Sequence, residues 1–377
     1  MSARTATPRI LPWLAGLVAA PPALAAVALA ALRPEDAPWL LAASLCAAGT
    51  ALVLCARRSA RIVLAALPFA LLAWPEMALR IAGFRNDHAL TMQFGFPRPE
   101  MLVKLPPDEE LFWRSPPDYP GANSLGFVGP EFRIPKPDGT VRFLFLGDSC
   151  AMQGYPGLVP EAMASRDGVE FDAINLGVGG YTTHQGVVLA RRWAGKLQPD
   201  IVVVCYGWND HWLAYGAPDS AKKQTAWQKT IQAATRSTRI TQWVASRLPP
   251  DPPLSVTRVS ESEYAANLER IGETAESAGA RVLLMTAPTS ADVLGPPAMM
   301  IPEFAESGQA ILDRHRRYNE IVREVARRRS WRLLDLAVEV PKERLRELFL
   351  NDTVHFTKPG LVWIAQRIAT ELQKMLP

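Results

Sequence analysis

Between Val141 and Leu336 the chain sets down five short apolar runs: Val141–Leu146, Val169–Leu176, Ile201–Tyr206, Arg281–Thr286 and Arg332–Leu336. Longer segments of helical periodicity follow them, among them Gln185–Leu197, Glu261–Ala278, Ala310–Arg328 and Pro359–Met375. Strands this rich in Val, Ile and Leu need cover on both faces, and intervening helices supply it when the strands run parallel. The pattern predicts an α/β domain over 141–377. Two stretches exceed an ordinary crossover: 211–260, with its own helical pattern near Ala226–Arg247, and 289–308. Both follow strand ends, where α/β folds place their binding sites. The Pro-rich stretch 86–140 reads as an extended connector packing on the domain.

The first 85 residues are of another kind. Ile10–Leu32 and Pro38–Ala56 contain no ionisable side chain, and Ile62–Leu79 contains only Glu76. Each is near the ~20 residues that cross a bilayer as a helix, and the prolines at 21, 22, 68 and 75 are tolerated in membrane spans. A cleavable signal peptide fits poorly, because the first run is long and two more follow. Residues 1–85 therefore read as a transmembrane region of three helices, with the bilayer as partner of residues 10–82. Arg4 and Arg9, then Arg57, Arg58 and Arg61, place the N-terminus and the second loop in the cytoplasm. Three crossings put everything after them on the extracytoplasmic side, periplasmic or outer, in a multi-pass membrane protein. Two crossings would leave it in the cytoplasm.

Charge is divided in the same way. Residues 1–85 carry eight Arg and three acidic residues, a net of +5, which leaves 33 basic against 34 acidic residues, a net of −1, for the remainder. A domain with no net basic charge lacks the electrostatic footprint of a nucleic-acid binder. The cysteines, Cys46, Cys55, Cys150 and Cys205, form no CxxC, and there is no HExxH, so no metal site is expected.

Four blocks carry chemistry. The first strand ends in Gly147-Asp148-Ser149, a turn that exposes a hydroxyl beside a helix N-terminus. The second ends in Asn175-Leu176-Gly177-Val178-Gly179-Gly180-Tyr181, where glycines let backbone N–H groups approach a ligand. The third ends in Gly207-Trp208-Asn209-Asp210, offering a neutral amide as a donor to a developing oxyanion. Near the C-terminus, Asp352 precedes His355 by three residues, close enough to turn back and fix the imidazole tautomer. Each block alone is an ordinary turn. In this order they make a nucleophile, oxyanion donors and a base with its orienter.

The four blocks resemble those of the SGNH (GDSL-type) hydrolase family over about Val141–Pro377. The resemblance implies a flavodoxin-like three-layer α/β/α sandwich with a parallel sheet of order 2-1-3-4-5, and no cofactor. It implies Ser149 as nucleophile, His355 as general base and Asp352 as its orienter, with Gly180 and Asn209 joining the Ser149 N–H in an oxyanion hole. Gly177 and Gly179 compete with Gly180, because spacing within that block varies. Cys150 follows the serine directly where the family often has a small residue, and Gly154 comes later. His184, Trp208 and His211 follow these blocks and are candidates for substrate contact. The activity implied is that of a serine esterase or deacetylase, acting through an acyl-enzyme on acylated glycan or lipid. An O-acyltransferase modifying an envelope polysaccharide would use the same residues. An inactive binding or scaffolding module is the third alternative, against which the intact blocks argue.

Overall fold

The computed structural model describes residues 75–85, 106–115, 118–165, 167–215, 217–222, 238–247, 253–296 and 305–376. These fall into two units, a smaller one with 75–85 and 238–247 and a larger one with the rest.

In the larger unit the five apolar runs become β1 (Thr140–Gly147), β2 (Glu170–Asn175), β3 (Ile201–Cys205), β4 (Arg281–Met285) and β5 (Arg332–Leu334). They form one parallel sheet in the order β2-β1-β3-β4-β5, the order that the resemblance implied. Register decides what this does for function. Phe145 lies opposite Asn175, and Gly147 lies opposite Cys205. The chain therefore leaves β1, β2 and β3 at nearly one level, and the first three blocks emerge side by side.

Six helices matter here: α1 (Ser149–Met152), α2 (Tyr155–Ala162), α3 (Thr183–Leu197), α4 (Glu261–Ser277), α5 (Gly308–Arg329) and α6 (Lys358–Met375). Their starts follow local chemistry. Thr182 and Gln185 form a reciprocal capping box at α3, so the helix begins two residues before the apolar periodicity does. Ser260, Ser307 and Thr357 cap α4, α5 and α6, and Pro359 sits in the first turn of α6. Strand pleating then separates two cores. Phe143, Phe145, Ile201, Val203, Leu283 and Met285 join Tyr155 and Val159 of α2 and Ile364, Ile368 and Leu372 of α6. The alternate residues Leu144, Leu146, Val202, Val204, Val282 and Leu284 are equally buried, on the face covered by α3, α4 and α5.

The described part of the Pro-rich connector is more regular than expected. Pro107–Asp108 pairs antiparallel with Phe112–Trp113, and Arg192 of α3 forks onto Asp108 at 2.8 Å through both terminal nitrogens. The ends of the 211–260 stretch are zipped together, Leu213–Tyr215 pairing antiparallel with Pro253–Thr257.

In the smaller unit a helix at 75–81 carries Glu76, which pairs with Arg80 at 2.7 Å. The Glu76 carboxylate also accepts the backbone N–H groups of Arg239 and Ile240, both at 2.9 Å, at the start of helix Arg239–Ala245. It satisfies donors that a helix N-terminus leaves open. The expected spans at Ile10–Leu32 and Pro38–Ala56, and Ile62–Leu79 up to residue 74, lie outside the described residues. Among the described residues, no helix is long and apolar enough to cross a membrane.

Candidate active site

Ser149 stands where β1 hands over to α1. The turn is tight: a Cβ at Gly147 would meet the Ala151 Cβ at 2.8 Å and the Cys205 carbonyl at 3.1 Å, so only glycine fits without a shift. Asp148 caps α1 by accepting the Cys150 N–H at 2.9 Å. Its carboxyl is fully enclosed, and that burial pushes its pKa up against the pull of the Cys150 hydrogen bond and the charge of His355.

Asp352 and His355 share the loop before α6. Asp352 Oδ2 lies 2.7 Å from His355 Nδ1, and Asp352 Oδ1 accepts the Val354 and His355 N–H groups at 3.0 and 2.9 Å. A carboxylate can only accept, so the imidazole proton sits on Nδ1 and Nε2 keeps its lone pair. Nε2 lies 2.8 Å from Ser149 Oγ. Burial disfavours a charge on His355, but the hydrogen bond and charge of Asp352, with Asp148 beyond, outweigh it and hold the pKa above the usual 6.5. Burial would likewise raise Asp352, but its His355 and backbone hydrogen bonds win and lower it. The loop is held from outside. Thr353, left-handed at φ 63°, turns its carbonyl to the Thr289 hydroxyl at 2.8 Å and the Ser290 N–H at 3.1 Å. Gln153, just after α1, grips Phe356 twice: its Nε2 donates to the Phe356 carbonyl, and its Oε1 accepts the Phe356 N–H, both at 2.9 Å.

Beside Ser149 runs the glycine segment. A Cβ on Gly179 would lie 3.9 Å from the Ser149 Cβ. The N–H of Gly177 is taken by Asn175 Oδ1 at 2.8 Å, and that of Gly179 points at Met152 Sδ at 3.2 Å. Among the described residues, the N–H groups of Ser149 and Gly180 donate to no protein acceptor. Gly180 adopts φ 81°, in the left-handed region. Asn209 is buried and donates one amide proton to the Tyr181 carbonyl at 2.9 Å; its other acceptor among the described residues, Asp148 Oδ2, is distant at 3.4 Å. Two backbone donors thus remain free, and one side-chain amide proton is held only by a long contact, next to a hydroxyl 2.8 Å from a histidine nitrogen, a constellation suited to acyl transfer.

A model of the GDSL-like lipase/acylhydrolase family matches residues 145–361, more than half of the 377-residue chain. The chain belongs to this family. As a GDSL-like acylhydrolase it is an enzyme that hydrolyses ester bonds. No curated protein matches its sequence. Among solved structures it is similar to a lipase/acylhydrolase from Enterococcus faecalis, at 18% identity and a TM-score of 0.40, over 63% of this chain and 97% of that one. It is similar to a carbohydrate acetylesterase from Sinorhizobium meliloti, at 12% identity and 0.39, over 63% and 100%. An M. smegmatis aryl esterase matches at 13% identity and 0.39, over the same shares.

The other candidates of this GDSL-like chain, Trp208, His211 and His184, are buried or half-buried. Trp208 and His211 are 2% and 0% exposed, and Trp208 lines a small cavity with Asp148 and Cys150. The Trp208 ring stacks on His315 at 4.0 Å, and His211 Nε2 lies 3.3 Å from His315 Nδ1. Residue 208 is a wide aromatic at a strand end, and α5 closes over it; that cover was invisible in the local spacing. His184 is half-buried and stacks on Phe112 at 5.6 Å; burial lowers its pKa. Among the described residues, no cluster of three or more His, Cys, Asp or Glu is arranged to hold a metal ion. Sequence reasoning missed Gln153 and Asn175, the latter holding the Ala151 carbonyl with Nδ2 at 2.8 Å and so tying α1 to the glycine segment. Asn175 stood at the head of its block and was legible as a candidate, whereas nothing local marks Gln153.

Proposed function

We propose that the chain is a membrane-anchored serine esterase or deacetylase acting through an acyl-enzyme on acylated glycan or lipid outside the cytoplasm. The observation that carries the chemistry is the line Asp352–His355–Ser149, with contacts of 2.7 and 2.8 Å. In this mechanism Ser149 Oγ attacks the ester carbonyl while its proton passes to His355 Nε2. The carbonyl oxygen becomes an oxyanion between the Ser149 and Gly180 N–H groups and the weakly held amide proton of Asn209. Asp352 holds the imidazolium that forms. The C–O bond to the leaving alcohol breaks, and that oxygen takes the proton from His355. Water then enters, gives a proton to His355 and attacks the acyl carbon; the acid leaves, and the proton returns to Ser149. The apolar stretches of residues 1–85 and their arginine distribution support the anchor and its orientation.

Two experiments test the proposal. Full-length protein incubated with acetylated glycan should release acetate, and net transfer of acetyl to glycan without free acid would overturn hydrolysis as its task. A reporter fused at residue 90 should show the extracytoplasmic phenotype; activity there of a reporter that works only in the cytoplasm would overturn the location.

A further inference from the structure

The last two residues of the second block and the two after them are gripped in succession, each by a different buried polar group. Arg258 Nη1 donates to the Gly180 carbonyl at 2.8 Å. Asn209 Nδ2 donates to the Tyr181 carbonyl at 2.9 Å. The Thr182 hydroxyl lies 3.0 Å from Asp219 Oδ2. The N–H and hydroxyl of Thr183 donate to Asp210 Oδ1 at 2.8 and 2.6 Å. All four gripping residues come from the stretch between β3 and α4.

Arg258 is the unusual member. It and Asp219 are both 0% exposed, and each guanidinium nitrogen is engaged: Nη2 and Nε reach Asp219 at 2.8 and 3.3 Å while Nη1 takes the glycine carbonyl. Lys222 adds a second cation on Asp219 Oδ1 at 3.1 Å. Buried ion pairs are a poor route to stability, since apolar side chains fill such space without desolvating charge. What a guanidinium fork supplies that an apolar side chain cannot is direction. Its target is a glycine, the backbone unit with the widest freedom to rotate. Gly180 already sits at φ 81°, and its N–H is one of the free donors beside Ser149.

Given the roles proposed for Ser149, Gly180 and Asn209, we propose that Arg258, braced by Asp219, is a positioning residue for the oxyanion hole. By fixing the Gly180 carbonyl it removes one of the rotations that would swing the Gly180 N–H away from the substrate oxygen. Asp219 also lies 3.0 Å from the hydroxyl of Thr182, on the other side of Tyr181, a hydroxyl that Gln185 Oε1 approaches at 2.7 Å. Because the oxyanion exists only along the reaction path, this aim matters to the transition state and little to ground-state binding.

The test uses the full-length chain with Arg258→Met, Arg258→Lys, Asp219→Asn and, alongside, Ser149→Ala. Steady-state hydrolysis of an aryl acetate gives kcat and KM, and inhibition by an alkylboronic acid reports on a tetrahedral anionic adduct at Ser149. Arg258→Met should lower kcat by about 10²-fold, the cost of a misplaced donor, with KM within about twofold. The boronate inhibition constant should rise by the same factor as kcat/KM falls. Arg258→Lys should restore about tenfold of the loss, since an ammonium can donate one hydrogen bond but cannot form the fork. A kcat within about threefold of wild type, a loss confined to KM, or a boronate affinity that does not follow would overturn the proposal. Should Arg258→Met fail to fold, Arg258→Lys and Asp219→Asn decide it on the same criteria. Turnover surviving in Ser149→Ala would overturn the catalytic assignment itself and this proposal with it. An inactive Ser149→Ala beside an unimpaired Arg258→Met would sink the positioning role alone.

Discussion

His355 Nε2 and Ser149 Oγ meet at 2.8 Å from positions 206 residues apart. The register of β1 against β2 and β3 and the docking of α6 beside α2 bring them together. Neither residue is a large contributor to the core, so their chemistry can be removed while the fold stays.

Ser149→Ala should therefore cut aryl acetate turnover by about 10⁴-fold or more and abolish labelling by a fluorophosphonate. Its thermal unfolding midpoint should stay close to that of wild type. Retained labelling would place the nucleophile elsewhere.

His355 works as a base only when neutral, and its pKa lies above 6.5. As pH falls through that raised value the base is protonated and kcat/KM drops, so the acid limb of the profile should lie above the ordinary histidine range. Asp352→Asn removes the hydrogen bond and charge that raise it. The limb should then move to lower pH while the plateau falls by about 10⁴-fold, because the wrong tautomer is held. A limb unmoved by this substitution would show that Asp352 does not set the basicity.

Asn209→Ala should lower kcat by about 10²–10³-fold through loss of one donor. Asn209→Asp is nearly the same shape but sets a second carboxylate against Asp148, whose Oδ2 lies 3.4 Å from Asn209 Nδ2. Like charges in an enclosed site repel strongly. The aspartate variant should thus lose more stability than the alanine one, as read by urea denaturation.

The glycines of the second block should differ sharply when replaced. A Cβ at Gly177 would press on the Ala151 Cβ at 2.6 Å and the Met152 nitrogen at 2.8 Å, and α1 would have to move. At Gly179 the nearest atoms are the Met152 Sδ at 3.6 Å and the Ser149 Cβ at 3.9 Å, ordinary contact. Gly177→Ala should lower both the unfolding midpoint and kcat, and Gly179→Ala should leave the midpoint close to wild type.

The buried His315 gives a prediction about acid stability. Burial holds its pKa at about 4, against 6.5 for the free side chain, so the unfolded chain binds a proton that the folded one refuses. Stability is then fully present above 6.5 and is lost as pH falls towards 4, on the order of 3 kcal/mol for this one group. His315→Gln should flatten that part of the denaturation-versus-pH curve relative to wild type.

Much of this was legible in the residues. The five strands needed only the recurrence of Val, Ile and Leu, and their bounds shifted by one or two positions; α3 starts two positions early because Thr182 caps it. Ser149, Asn209, Asp352 and His355 stood in short blocks at element ends, so local spacing sufficed to propose them, and the structure brings Asp352, His355 and Ser149 into one line. Arg258 and Asp219 were illegible for the opposite reason. They lie at the two ends of a long crossover, outside its helical pattern and 39 positions apart, and their significance comes from reaching Gly180, 78 positions before Arg258. For Trp208 and His211 the sequence shows a place after a strand end but not that His315 of α5 packs on both.

The loop before α6 has a consequence for how activity fails. Asp352 and His355 are joined within four residues, so their pairing survives any motion that carries the loop as a piece. Their meeting with Ser149 depends instead on distant anchors, the Gln153 clamp on Phe356 and the Thr289 and Ser290 contacts with Thr353. Loss of those few hydrogen bonds is a smaller event than melting the sheet. On slow heating, the ester-cleaving rate should accordingly collapse several degrees before the circular dichroism signal of the sandwich begins to fall.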